Sequence, residues 1–472
     1  MDLTIPSTFQ VIFSSFAVVF TTPSFENFVT LATGWMLSTG RHTISGVLRS
    51  GSAPGRNKHF SSLYRFFSRA VWDTDALGEV LFHLLLPLSG KQVLAVVDDT
   101  LCRRSGPHFW GAGMHHDPLR STYGRGTSAS RWFAMAFGHN WVVLAVWVPL
   151  PWARMRGVAV PVLWRLYRSK KRCPASQYRK RTELAREMID VVAGWLPEDR
   201  RLTVVGDGEY ACKTVLRHLP EGVDFTGPMV MDAAFYDVPR TQPRRGRRLK
   251  GKRFPSPQEL ARMKSVRWET ITPTIYGREV PVMVKELVGM WYGVTHTRLV
   301  RMVVTRDPAG RIEDRAYFTT DPDLTAEEIL GGFSRRWSLE VTFRDAKQNL
   351  GLEDPQNGWW RRRNRIRRRR KKPGPQPKGR HGEKAVRHTV PFTFCVYGLV
   401  IIWYFRHGNV RQDVERVRKL SPWYRHKKEP SFADMLAAVR RELWKARIMA
   451  YPSLRRVGYN IRRLIPEWLA VA

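Results

Sequence analysis

Three acidic residues, Asp98, Asp207 and Glu340, stand where a fold could gather carboxylates for metal-assisted chemistry. Asp98 ends the apolar run Lys91-Gln-Val-Leu-Ala-Val-Val-Asp98, and Asp207 ends Leu202-Thr-Val-Val-Gly-Asp207. Both runs read as strands buried on two faces, and in an α/β sheet ligand-binding groups collect at strand C-termini. Glu340 lies in Phe333-Ser-Arg-Arg-Trp-Ser-Leu-Glu-Val-Thr-Phe-Arg-Asp-Ala-Lys347. At about 100° per residue this stretch predicts a helix. Arg336, Glu340, Arg344 and Lys347 share one stripe with Phe333, beside an apolar stripe of Leu339, Phe343, Ala346 and Leu350. Three carboxylates without His or Cys suit hard cations, Mg²⁺ or Mn²⁺, rather than zinc. Two such ions about 4 Å apart would activate a water or hydroxyl and stabilise the leaving oxygen of an in-line displacement. Singly, each Asp also reads as a turn or cap residue, and Glu340 as half of an i,i+4 ion pair. The joint pattern points to phosphoryl transfer.

The elements that must position these acids follow from the flanking sequence. Residues 1–90 read as short helices carrying Arg and Lys, which suits a DNA-binding helical domain or a helical cap packed on the core. Residues 91–234 read as β-β-β-α-β-α-β, with Ser130 to Phe137 and Trp141 to Pro149 forming a hairpin around Gly138-His-Asn140. A basic, Pro/Gly-rich loop, Pro239 to Lys252, precedes alternating strands, so 235–322 is expected to be an antiparallel β unit outside the acid-bearing sheet. The Glu340 helix occupies 323–357. A basic low-complexity segment, 358–387, contains Arg367, Arg368, Arg369 and Arg370, and charge at that density stays disordered until it meets an anion. Helices return over 388–472, with the apolar run Val390 to Phe405 read as a buried core helix, since ~20 apolar residues are needed to span a bilayer.

Charge narrows the partner. Lys and Arg number 79 against 41 acids, a net charge of +38, and self-repulsion of that size calls for a polyanion. No basic amphipathic helix with a free apolar face favours a membrane, so nucleic acid is the expected partner. The four cysteines show no CxxC pair, which argues against a disulfide framework and fits a reducing cytosol. Cys102 with His108, His115 and His116 matches no zinc spacing. No basic region precedes the apolar run near Val11 to Phe20, so a signal peptide is not expected.

Together these blocks resemble the DDE transposases of bacterial insertion sequences, which have a ribonuclease-H-like core. In one large group of them a mostly β domain precedes a helix with the signature Y-x2-R-x3-E-x6-K. Here Phe333-x2-Arg336-x3-Glu340-x6-Lys347 fits with Phe in place of Tyr. Val96-Val-Asp98-Asp-Thr100 resembles the first block of the family and Val204-Val-Gly-Asp207-Gly the second, with Asp99 an alternative to Asp98. The likeness runs from about Lys91 to Lys347 and on through the Val390 helix.

The resemblance implies an α/β, retroviral-integrase-like mixed sheet with helical N- and C-terminal regions. It also implies Asp98, Asp207 and Glu340 as catalytic metal ligands for Mg²⁺ or Mn²⁺. The activity implied is cutting at inverted-repeat ends, then joining of the 3′-OH to target DNA, by a homodimer on paired ends in a bacterial cytoplasm, with the nucleoid. Phe333, or Trp337 in its stead, and Arg336, Arg344, Lys347 and Arg367 to Arg370 would contact DNA. Relatives that pass through a DNA hairpin stack a flipped base on an aromatic of the β insert, for which Trp291 is the candidate here, core packing being its other reading. Two other functions share these residues: a transposase-derived DNA-binding protein that does not cut, and a structure-specific nuclease of the same fold.

Overall fold

The computed structural model describes residues 5–51, 59–104, 109–117, 134–239, 250–354 and 380–450. The chain opens with five helices, α1 (Ser7–Ser14), α2 (Thr22–Leu37), α3 (Ile44–Gly51), α4 (Ser61–Ser68) and α5 (Thr74–Leu85). Their Phe, Leu and Trp residues are buried in the same core as the sheet. They are packed onto the sheet, as a helical cap would be.

Four strands follow: β1 (Gln92–Arg103), β2 (Gly113–His116), β3 (Met135–Leu150) and β4 (Ala153–Tyr167). The expected hairpin is displaced. Gly138-His-Asn140 lies inside β3, paired with Arg103, Cys102 and Leu101 of β1, and the chain reverses at Pro151-Trp152 instead. Gly138 serves a close approach, since a Cβ there would lie 2.3 Å from the Cys102 carbonyl oxygen.

Helix α6 (Arg181–Trp195) leads to β5 (Arg201–Val205), and α7 (Lys213–Leu216) to β6 (Val223–Met229). β1 pairs antiparallel with β3 and parallel with β5, and β5 pairs parallel with β6. The resulting order, β4-β3-β1-β5-β6, is consistent with a ribonuclease-H-like mixed sheet.

The next region corrects an expectation. It contains β7 (Phe235–Tyr236), β8 (Arg253–Phe254), α8 (Pro257–Arg262), β9 (Glu269–Ile271), β10 (Thr274–Ile275), β11 (Arg278–Glu279) and β12 (Val282–Met290). Helix α9 (Tyr292–Thr295), β13 (Leu299–Arg306) and β14 (Arg315–Thr319) complete it. These strands are largely antiparallel, but they do not stand apart from the core. β14 pairs with β6, so β14, β13 and β12 extend the acid-bearing sheet, and twelve strands form one ladder. Pairing β6 in this way leaves no bare edge there. Buried Asp224 on β6 fastens the join by accepting from Arg201, Arg298 and Thr320. Among the described residues only the small hairpin β10–β11 forms a separate sheet.

The Glu340 stretch is two helices, α10 (Ala326–Ser334) and α11 (Trp337–Asn349), broken at Arg335-Arg336. Residues 355–379, with Arg367 to Arg370, lie outside the described residues. From Arg380 the chain is already helical, eight residues before the expected boundary: α12 (Arg380–His407) is a 28-residue helix. It is long and apolar enough to cross a membrane, yet 94% of its apolar window is buried inside the fold. Helices α13 (Val410–Leu420) and α14 (Phe432–Ala450) pack after it.

The tightest seam in this packing joins α5 to β4. A Cβ at Gly78 would sit 1.9 Å from the Val162 carbonyl oxygen, a backbone atom that cannot rotate aside. Gly78→Ala should therefore destabilise the fold by about 1–3 kcal/mol, the usual range for overpacking, read as a lower urea midpoint. An unchanged midpoint would show that α5 can shift away from β4.

Candidate active site

Alternation along β1 decides which acid faces which layer. Leu94 and Val96 point into the core layer that holds Leu339 and Phe343 of α11, whereas Val93, Ala95 and Val97 join the other layer, with Leu184 and Met188 of α6. Asp98 continues the first set and Asp99 the second. Accordingly, the Asp98 carboxylate meets α11 and the Asp99 carboxylate meets α6.

On the α11 side, Arg336 donates to Asp98 Oδ2 at 2.5 Å and lies 3.0 Å from Glu340 Oε1. One guanidinium thus bridges an acid from β1 and an acid from α11. Asp207 follows β5, the parallel neighbour of β1, and its Oδ1 caps the turn by accepting from the Glu209 backbone N–H at 2.9 Å. Burial, opposed by Arg336 and aided by Asp207 and Asp99, pushes the Asp98 carboxyl up to about 7. Burial opposes the Arg336 charge, but Asp98, Glu340 and Asp207 together hold that guanidinium above the ordinary arginine range. So Asp98, Asp207 and Glu340 share one electrostatic site with Arg336.

The α6 side carries a second cluster that sequence reading missed. Arg181, the first residue of α6, contacts Asp99 Oδ2 at 3.2 Å and Glu209 Oε2 at 2.7 Å. Asn140 donates to Asp99 at 2.7 Å, and the Tyr210 hydroxyl reaches it at 3.4 Å. Burial, followed by Asp99 and Asp207 acting against Arg181, raises the Glu209 carboxyl. The only advance signal was that Asp99 and Glu209 flank Asp98 and Asp207 in sequence.

The other expected residues fall in different places. Phe333 packs on the Tyr317 ring, with centroids 4.9 Å apart. Lys347 donates to the Leu101 carbonyl at 2.9 Å, near the far end of β1, and lies 4.0 Å from Glu353. Arg344 hydrogen-bonds its neighbour Asp345 and is largely exposed. Trp291 needs correction: it is 7% exposed and packs edge-on against Phe318, so its face is not open to a base. An open aromatic pair stands elsewhere. Trp337 (51% exposed) and Tyr276 (65% exposed) meet at 6.4 Å beside Arg336. Tyr276 holds φ at +51° and Gly277 at +75°, the two left-handed positions of a tight hairpin turn.

As a metal site the arrangement fits by chemistry. Its donors are carboxylate oxygens, the ligands hard cations take, and a guanidinium already stands as the cation between two of them. Among the described residues no three His, Cys, Asp or Glu side chains are grouped closely enough to hold an ion as they stand.

A pH effect follows from Asp98. Its value in the fold lies above the ordinary 3.8, so its contribution to stability is complete below about pH 4 and lost as pH rises through about 7. Without metal, Asp98→Asn should lose less melting temperature between pH 5 and pH 8 than the wild type. Thermal melts in chelator check this; equal losses would mean that the burial of Asp98 is not felt.

A family model described as "DDE superfamily endonuclease" matches residues 16–278, more than half of the chain. A second, described as "Archaeal putative transposase ISC1217", matches residues 275–366 and so includes Glu340 and its helix. No curated protein matches the chain. With Asp98 and Asp207 inside the first match and Glu340 inside the second, the chain belongs to the DDE superfamily of endonucleases, as a transposase of the insertion-sequence kind.

Proposed function

We propose that this transposase cuts DNA at the inverted-repeat ends of its element and joins the resulting 3′-OH to target DNA, with Asp98, Asp207 and Glu340 as ligands for Mg²⁺ or Mn²⁺. The observation that carries the reading is the Arg336 guanidinium drawn between Asp98 and Glu340, a cation held by acids from β1 and α11. Two bound ions would supply an activated oxygen nucleophile and stabilise the leaving oxygen. Arg336, once released from the carboxylates, is placed to take a phosphate of the scissile strand, for which its planar fork is suited. The exposed rings of Trp337 and Tyr276 would stack bases next to the cut, the role the buried Trp291 is ill placed to fill. The charge of +38 supports salt-dependent binding to any DNA. The working species is a homodimer on paired ends, acting on the DNA of a bacterial cytoplasm.

Glu340→Gln keeps size and hydrogen bonding but removes a cation-holding charge. It should abolish Mg²⁺-dependent nicking of labelled element ends while leaving gel-shift affinity intact. Normal cutting by this variant would remove Glu340 from the ligand set. A wild type that binds ends and never cuts them would favour the non-cutting DNA-binding protein, and cutting without joining of a 3′-OH oligonucleotide would favour a nuclease.

Base stacking is worth about 1–3 kcal/mol per base by alanine substitution. Trp337→Ala should therefore weaken end binding measurably at constant melting temperature, whereas Trp291→Ala should act on melting temperature. Binding unaffected by Trp337→Ala would rule the pair out as a stacking platform.

A further inference from the structure

The two arginines at the break between α10 and α11 turn in different directions. Arg336 goes to the carboxylates. Arg335 lays its guanidinium on the Trp147 ring, 4.4 Å from its centre. There it forms part of the wall of a cavity of about 490 Å³, whose other walls include Trp147, Pro149, Pro151 and Phe405.

Taking a guanidinium out of water costs free energy unless an anion compensates it. Among the described residues no carboxylate does so for Arg335, and burial alone depresses its proton affinity. A guanidinium is a planar fork matched to two oxygens of one anion. The remaining walls are apolar and aromatic. A cavity of this size is in the range that takes a small organic ligand, and this one suits an anion with a flat or apolar body. For a chain of charge +38 that belongs to a DNA-cutting family, that description fits one nucleotide unit of a DNA strand.

The location agrees. Trp147 pairs with Leu94, four residues before Asp98 on β1, and both lie in the layer under α11. The cavity is therefore on the carboxylates' side of the sheet, about 13 Å along the strand from Asp98.

We propose that the Arg335–Trp147 cavity is a second DNA-contact site, holding one backbone phosphate and its nucleotide a few steps along the strand from the scissile phosphate. Its position relative to the cut rests on the proposed cutting site at Asp98, Asp207 and Glu340. The test uses the full chain and duplexes of the element's terminal sequence, each with a single neutral methylphosphonate, position by position. Wild type should lose affinity about tenfold when the phosphate in the cavity is neutralised. Arg335→Ala should bind the unmodified duplex about that much more weakly, with the salt slope lowered by about one. It should also be insensitive to the same methylphosphonate, because the two changes remove one contact.

If Arg335→Ala melts too low to assay, Arg335→Lys, which keeps the charge without the planar fork, should show reduced sensitivity at that position. Variants that match wild type at every position overturn the proposal while leaving the cutting site standing. A wild type that binds and shows the position effect but does not cut overturns only the cutting site. No DNA binding by the wild type overturns both.

Discussion

Carboxylates crowded where β1 runs on past the end of its parallel neighbour β5 repel one another, and a fold that gathers them must answer that repulsion before anything else. This chain answers with two arginines from two helices. Arg336 enters from the α10–α11 break and spans Asp98 and Glu340. Arg181 enters from the start of α6 and spans Asp99, next to Asp98, and Glu209, two residues after Asp207. Removing one partner from such a partly buried network leaves an uncompensated charge, which costs more than the pair itself contributes. The acids and their arginines therefore stand or fall together. A cation that replaces Arg336 exchanges one compensating charge for another, so the site need not come apart to take it.

Position is set by backbone pairing rather than by the acids. The parallel register of β1 with β5, Val96 opposite Val205, sets Asp98 beside Asp207; Asp207 follows the end of β5, whereas Asp98, expected to end its strand, lies inside β1, which β3 pairs on to Arg103. Helix α11 is seated independently, since Thr342 donates to the Ala159 carbonyl of β4 at 2.7 Å while Leu339 and Phe343 fill the layer below. Lys347 adds a tie to the Leu101 carbonyl on β1 itself. Glu340, one turn before Phe343 and Arg344, is thus fixed relative to Asp98 by apolar packing and two hydrogen bonds.

What the sequence made legible is what short-range pattern encodes. Buried runs ending in Asp98 and Asp207 are visible because both faces of those strands are apolar, and Arg336 and Glu340 are visible as an i,i+4 pair. The hairpin was misread because Gly138-His-Asn140 has turn composition, while its actual role, letting β1 and β3 approach, depends on a partner some forty residues away. Strand β4 was missed for a related reason: its Arg and Pro residues hide a run that only the partner β3 makes a strand. The surroundings of Trp291 and Trp337 were equally hidden. Only the packing of Phe318 against one and the open hairpin tip beside the other tells them apart. The cluster around Arg181 joins α6, β1 and the loop after β5, and no local signal carries a contact of that span.

The pairing of β14 with β6 bears on how far the chain can be trimmed. Because the inserted strands prolong the core sheet, they cannot be excised as a module would be. Deleting them would strip hydrogen-bond partners from β6 and leave Asp224 without Arg298 and Thr320. The bared strand would then be an open template for pairing with another chain. A minimal core made from this protein needs either to keep β12 to β14 or to supply a substitute strand, and the hairpin β10–β11, though in a sheet of its own, has to stay with it because its turn carries Tyr276 beside Trp337.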